Sequence, residues 1–148
     1  MPENYKFEIE FLNENEDKLD ASNNRRKLTI EEVSSIEKKH PKLSKEFLDY
    51  LREIGEGAFR ECQFSVRSEL IDLADLGLDN HYEIKKSIKF FGDNFCGDMA
   101  GFDLENSDGL VLEFWHESGD IFNTNKTFKQ YIREQMLISE NGKDLRVK

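Results

Sequence analysis

Between Asp93 and Asn125 the chain carries eight carboxylates and no Lys or Arg: Asp93, Asp98, Asp103, Glu105, Asp108, Glu113, Glu117 and Asp120. Acids at this density have three uses: to hold a divalent cation, to flank a glycosidic bond as an acid–base pair, or to make a field of one sign. Spacing decides among them. Asp93 through Asp98 lacks the alternating Asp/Asn order and central glycine of an EF-hand loop. His40, His81 and His116 are scattered, with no His-x-x-x-His or Cys-x-x-Cys beside them, so no metal site is expected. Nothing sets two of the eight acids apart as a catalytic pair. Cys96, next to Gly97-Asp98, reads as a small apolar residue packed under a turn rather than as an activated nucleophile. The remaining use is electrostatic: a surface that selects basic partners. The chain is therefore expected to bind rather than to catalyse, with no cofactor.

The whole sequence agrees with that use. Lys and Arg number 21 against 31 Asp and Glu, for a formal net charge of −10, and the 93–125 window supplies eight of the negative charges. An acidic chain repels nucleic-acid phosphate, so direct DNA or RNA binding is not expected. The 148 residues suit one domain, and 12 Phe within 37% hydrophobic content provide a core. Apolar runs are only a few residues long, too short to span a bilayer. Met1-Pro2-Glu3-Asn4-Tyr5-Lys6 has no basic stretch leading into an apolar one, and Cys62 and Cys96 form no motif. Both points imply a cytoplasmic protein with reduced thiols.

These residues must be positioned by elements. Tyr5, Phe7, Ile9 and Phe11 alternate with charged residues, which predicts an edge strand. A polar connection follows to Lys27. Thr29-Ile30-Glu31-Glu32 is a capping box opening a helix with Ile30, Val33 and Ile36 on one face, closed by Pro41. Ser44 caps a second helix whose stripe is Phe47, Leu48, Leu51 and Ile54, with Gly55 at its C′ position. Cys62, Phe64 and Val66 predict a strand, and Ser68 a short helical segment carrying Leu70, Ile71 and Ala74. Strands follow at 87–91, around Ala100–Leu104 and at Leu110–Trp115, with Ser107-Asp108-Gly109 as a hairpin turn and brief pairing at Ile121-Phe122. A last helix starts near Asn125 with Phe128, Tyr131, Ile132 and Met136 inward, and the chain frays from Ser139. The fold class is α+β: a single domain with a largely antiparallel mixed sheet flanked by helices.

The order of these blocks resembles the SUKH superfamily, which includes fungal cell-wall-assembly regulators and many bacterial immunity proteins. The resemblance rests on four stretches: Leu43 to Leu51 with Gly55-Glu56-Gly57, Phe91-Gly92-Asp93-Asn94-Phe95-Cys96-Gly97-Asp98, Val111 to Glu117, and Thr127-Phe128-Lys129-Gln130-Tyr131-Ile132. Ser44 stands where the family has Pro, and Glu56 interrupts its Gly-Gly. The match implies a SUKH-like domain over 28–138, preceded by an N-terminal strand and polar connection (1–27) and followed by a polar tail (139–148). It also implies a non-catalytic binding domain, in bacteria an immunity protein that sequesters a toxin, commonly a nuclease.

Strand alternation then gives the candidate contact residues. If Ala100, Phe102 and Leu104 share the core face with Leu110, Leu112 and Phe114, then Asp103, Glu113 and Trp115 share the opposite face. Two placements of Trp115 remain: an exposed aromatic rimmed by acids, as at an interface hot spot, or a core residue under a second layer. With the flanking turns, the partner-binding candidates are Asp98, Asp103, Glu113, Trp115 and Glu117. The expected function is toxin neutralisation by protein–protein binding through this acidic face, with a cognate basic toxin as partner. The alternative is an intracellular regulatory or scaffold domain of the same fold.

Overall fold

The computed structural model describes residues 4–75, 77, 87–105 and 109–145. The described helices are α1 (Lys6–Asn15), α2 (Ile30–Lys39), α3 (Lys45–Glu53) and α4 (Phe128–Gln135). The strands are β1 (Gly57–Phe59), β2 (Phe64–Ile71), β3 (Ile88–Asp93), β4 (Met99–Asp103), β5 (Leu110–Trp115) and β6 (Asp120–Thr127). They form one sheet in sequence order, each strand antiparallel to its neighbour, so the described sheet is wholly antiparallel rather than mixed. His81 and the Ser107-Asp108 part of the expected hairpin turn lie outside the described residues.

Local chemistry sets the helix boundaries. The Thr29 hydroxyl accepts from the Glu32 N–H (3.2 Å), and the Glu32 carboxylate accepts from the Thr29 N–H (3.1 Å), which closes the expected capping box. Ser44 Oγ accepts from the Phe47 N–H at the start of α3. At its end Gly55 has φ +108°, and a Cβ there would lie 2.6 Å from the Arg26 carbonyl. Only glycine lets Arg26 and Glu56 exchange their two backbone hydrogen bonds, each 3.0 Å. The last helix begins later than expected, at Phe128, because β6 continues to Thr127. Thr127 then caps α4 in a second box with Gln130.

Three expectations are corrected by tertiary contacts. Residues 6–15 form a helix, not an edge strand. Its N-cap Tyr5 and its residues Glu8, Phe11 and Leu12 are buried, at helical spacing. Their partners are distant: the Tyr5 hydroxyl donates to the Glu46 carbonyl (2.6 Å), and the Tyr5 ring meets Tyr50 edge-on at 5.5 Å. Glu8 pairs with Arg133 at 3.4 Å. Ser68–Ile71 stays in β2, with Ala74 in the turn that follows, and Glu56 takes both the Ser68 N–H and its hydroxyl. The tail folds back, with an Ile138–Asp144 bridge and the Leu145 N–H donating to the Leu137 carbonyl (2.8 Å). Asp144 grips the buried Arg60 guanidinium with both carboxylate oxygens, at 2.9 and 2.8 Å.

Both faces of the sheet bury apolar side chains. The helix-covered face holds Phe64, Val66, Phe91, Ala100, Phe102 and Val111 against Phe47, Leu51, Phe128 and Tyr131. The opposite face holds Ile88, Phe90, Met99, Leu112 and Phe114 with Leu73. Two predictions follow from this packing. Phe47→Ala empties a fully buried ring site and is expected to cost about 3–5 kcal/mol, against about 1 kcal/mol for the lost cap in Thr29→Ala. Equal melting temperatures would refute this ranking. Asp144→Ala strands a guanidinium that is 1% exposed. Its expected cost is roughly 3–5 kcal/mol in chemical denaturation, and a neutral effect would mean that the tail is dispensable.

Candidate functional site

The register of β4 on β5 decides which acids meet. Ala100 lies opposite Glu113, Met99 opposite Phe114 and Gly101 opposite Leu112. Directly opposed residues share a face, so Glu113 projects on the helix-covered side with Ala100. Asp103 alternates with Met99 and Gly101 and so projects on the other side. The expected grouping of Asp103 with Glu113 and Trp115 is therefore incorrect. Both faces are apolar near the sheet centre, and alternation alone does not say which set of one strand joins which set of the next. Asp103 instead accepts from the Ser87 hydroxyl (2.7 Å) and the Glu105 N–H (3.1 Å), bracing the end of β4.

The other four candidates gather at one end of the sheet. Trp115 closes β5 and is 43% exposed, so it belongs to neither buried cluster. The β5–β6 pairing sets Trp115 opposite Asp120 and Glu113 opposite Phe122, all on one face. Phe122 is 51% exposed. The Trp115 and Phe122 rings lie nearly parallel, 12° apart, with centroids 5.1 Å from each other. Glu113 anchors this pair to the core: its Oε1 accepts from the Trp115 indole N–H (3.4 Å) and its Oε2 from the Tyr131 hydroxyl (2.7 Å). Burial, and then the neighbouring Glu113 carboxylate, push the Tyr131 hydroxyl above its ordinary pKa, so it stays a donor.

Asp98 precedes β4 and accepts from the His116 backbone N–H at 3.1 Å, with His116 Nδ1 2.9 Å from the same oxygen. A Cβ on Gly97 would come within 2.9 Å of that ring, so glycine lets the β3–β4 turn close on His116. Glu117 is exposed in the β5–β6 turn. Glu113 and Asp120 thus flank a flat aromatic pair, with Asp98 bonded to the neighbouring His116 and Glu117 in the adjoining turn. Phe122 is the member that sequence reasoning missed. The turn Glu117-Ser118-Gly119-Asp120 held the signal: read as a hairpin closing on Trp115, it places Phe122 beside Glu113.

The titratable groups elsewhere have structural causes. A groove of about 460 Å³ between α2 and β2 is lined in part by Leu28, Glu32, Ile36, His40 and Leu70. Glu32 is held below the usual carboxylate range by Arg26 and then by its capping bond to Thr29. His40 is lowered by burial and by Lys39 and Lys89. Among the described residues no three His, Cys, Asp or Glu side chains converge as metal ligands; Cys62 and Cys96 are exposed and unbridged, so Cys96 is not packed under its turn as expected. No described helix is long and apolar enough to cross a membrane.

The chain belongs to the SMI1 / KNR4 family (SUKH-1), whose model matches residues 27–134. No curated protein and no solved structure matches it. Membership supports a protein-binding role of an immunity or regulatory kind. The match ends short of the Asp144 anchor and begins after α1, both of which pack on the matched core.

Trp115 is the only tryptophan, so its emission reports this surface directly. A local negative field concentrates cations and excludes anions within about one Debye length. Caesium is therefore expected to quench Trp115 more strongly than iodide at equal ionic strength. Lysine at Glu117 and Asp120 together is expected to reverse that order. Equal quenching by both ions in the unaltered protein would contradict an acidic rim.

Proposed function

We propose that this protein is an immunity-type binding protein that neutralises a basic toxin by covering it with the Trp115–Phe122 surface. It performs no catalytic step. One observation carries the reading: the single tryptophan stands outside both buried clusters, stacked on an exposed phenylalanine and flanked by Glu113 and Asp120. Exposed aromatics supply most of the contact energy at protein interfaces, and a ring of polar groups excludes water around them. The carboxylates select the partner's sign. Nuclease toxins suit this surface, because proteins that hold nucleic-acid phosphate present Lys and Arg. Exposed, unbridged Cys62 and Cys96 favour action in a reducing compartment such as the cytoplasm.

The test uses the product of an adjacent toxin-like gene as the binding partner. Trp115→Ala and Phe122→Ala are each expected to weaken the complex by about 2 kcal/mol or more, roughly thirtyfold. Neither should unfold the chain, because both residues lie outside the buried clusters. Glu117→Lys is expected to slow association and flatten its salt dependence. Asp103→Lys, on the opposite face, should leave binding unchanged. Loss of binding in Asp103→Lys with retention in Trp115→Ala would move the interface to the other face and overturn the proposal.

A further inference from the structure

We infer that the partner engages this surface by backbone pairing as well as by side chains: an extended basic segment adds a seventh strand along the free edge of β6. The inference rests on the proposed Trp115–Phe122 interface and states how it is engaged. β6 is the last strand of the sheet and pairs only with β5 among the described strands, so its outer backbone groups face outward. Such edges template strand addition unless a protein blunts them.

Here the blunting is confined to one end. Leu112 pairs with Asn123 while Val111 pairs with Lys126, so Thr124 and Asn125 form a bulge, with Asn125 at φ +59°. The Thr124 hydroxyl donates to the Val111 carbonyl (2.6 Å) and accepts from the Lys126 N–H (3.2 Å), which turns that end inward. Lys126, paired with Glu134, adds a charge there. Asp120–Asn123 has no Lys, no Pro and no bulge, and it is the stretch that carries Phe122 beside Trp115.

Chemistry on the two faces of that stretch specifies the occupant. A strand laid against Asp120–Asn123 would send alternate side chains over Trp115, Phe122 and Asp120 on one face. The others would lie beside Ile121, which packs against the second apolar cluster. The first set suits Arg, whose planar cation stacks on aromatic rings and pairs with carboxylates. The second set suits Val or Ile. A second copy of this chain would bring no Lys or Arg in its own Asp120–Asn123 stretch to pair with Asp120, so charge favours a basic partner over self-association.

The probe is a blocked hexapeptide of alternating Arg and Val, titrated into the full chain and followed by amide exchange and Trp115 emission. Saturable binding is expected, with new exchange protection on alternate amides of 120–123. Methylating the peptide nitrogens that face β6 is expected to weaken binding roughly tenfold, while methylating the opposite set has little effect. If Trp115→Ala abolishes binding but neither methylated peptide differs from the parent, contact is by side chains alone. The strand-addition inference then falls and the interface reading stands. If Trp115→Ala binds like the unaltered chain, the interface reading itself falls, and this inference with it. No saturation at millimolar peptide, or a dimer of the free chain by light scattering that the peptide fails to dissociate, also overturns strand addition.

Discussion

The contact between Phe128 and the rings around it governs where the candidate surface lies. Phe128 lies 5.0 Å from Phe91, 5.3 Å from Phe47 and 5.4 Å from Tyr50, centroid to centroid. These rings come from α3, α4 and the sheet, so a single cluster joins both helices to the strands. Tilted and edge-on aromatic contacts have preferred geometries, so the cluster fixes orientation as well as proximity. With α4 held in this way, Tyr131 one turn later sits over β5 with its hydroxyl on Glu113. The order of causes runs from buried rings to helix placement to a fixed carboxylate to an oriented indole.

Closure of the chain ends protects this arrangement. Arg60 occupies a turn in which Arg60, Glu61 and Cys62 all have positive φ, at 49°, 54° and 66°. Non-glycine residues avoid that region, and the surroundings hold them there. Glu16 accepts from the Arg60 N–H (2.7 Å), and Asn23 accepts from the Glu61 N–H (2.9 Å). The Arg60 side chain reaches Asp144 and the Met136 carbonyl and lies over Phe11. The turn, α1 and the tail after α4 are therefore fastened by one guanidinium. An ion pair this deep is a poor source of net stability, but losing either half is costly.

Two-sided burial explains why the exposed aromatic pair lies at a sheet end. Strands β3, β4 and β5 are covered on both faces, so a partner has no access to their centres. Cover runs out at the sheet end, where Trp115 and Phe122 are 43% and 51% exposed. Large apolar rings left exposed cost solubility unless polar groups flank them, and here Glu113 and Asp120 do so.

Much of this was legible in the sequence. Both expected helix caps, the α3 stripe, the Phe128–Ile132 face and the strand at 110–115 follow from spacing and side-chain chemistry within a few residues of each site. The acidic window and its lone tryptophan, hence the character of the surface, are legible for the same reason. Tyr5 to Leu12 was not, because its apolar residues satisfy both a period of two and a helical spacing. Contacts to Glu46, Tyr50 and Arg133 chose the helix. Nor was the pairing of faces between β4 and β5, where a one-residue choice of register sends Asp103 away from Glu113. Residue type and local spacing are properties of the chain, and they determined most of its elements and its charge. Register and burial depend on partners tens of residues away, and only the tertiary structure decided which of those elements meet.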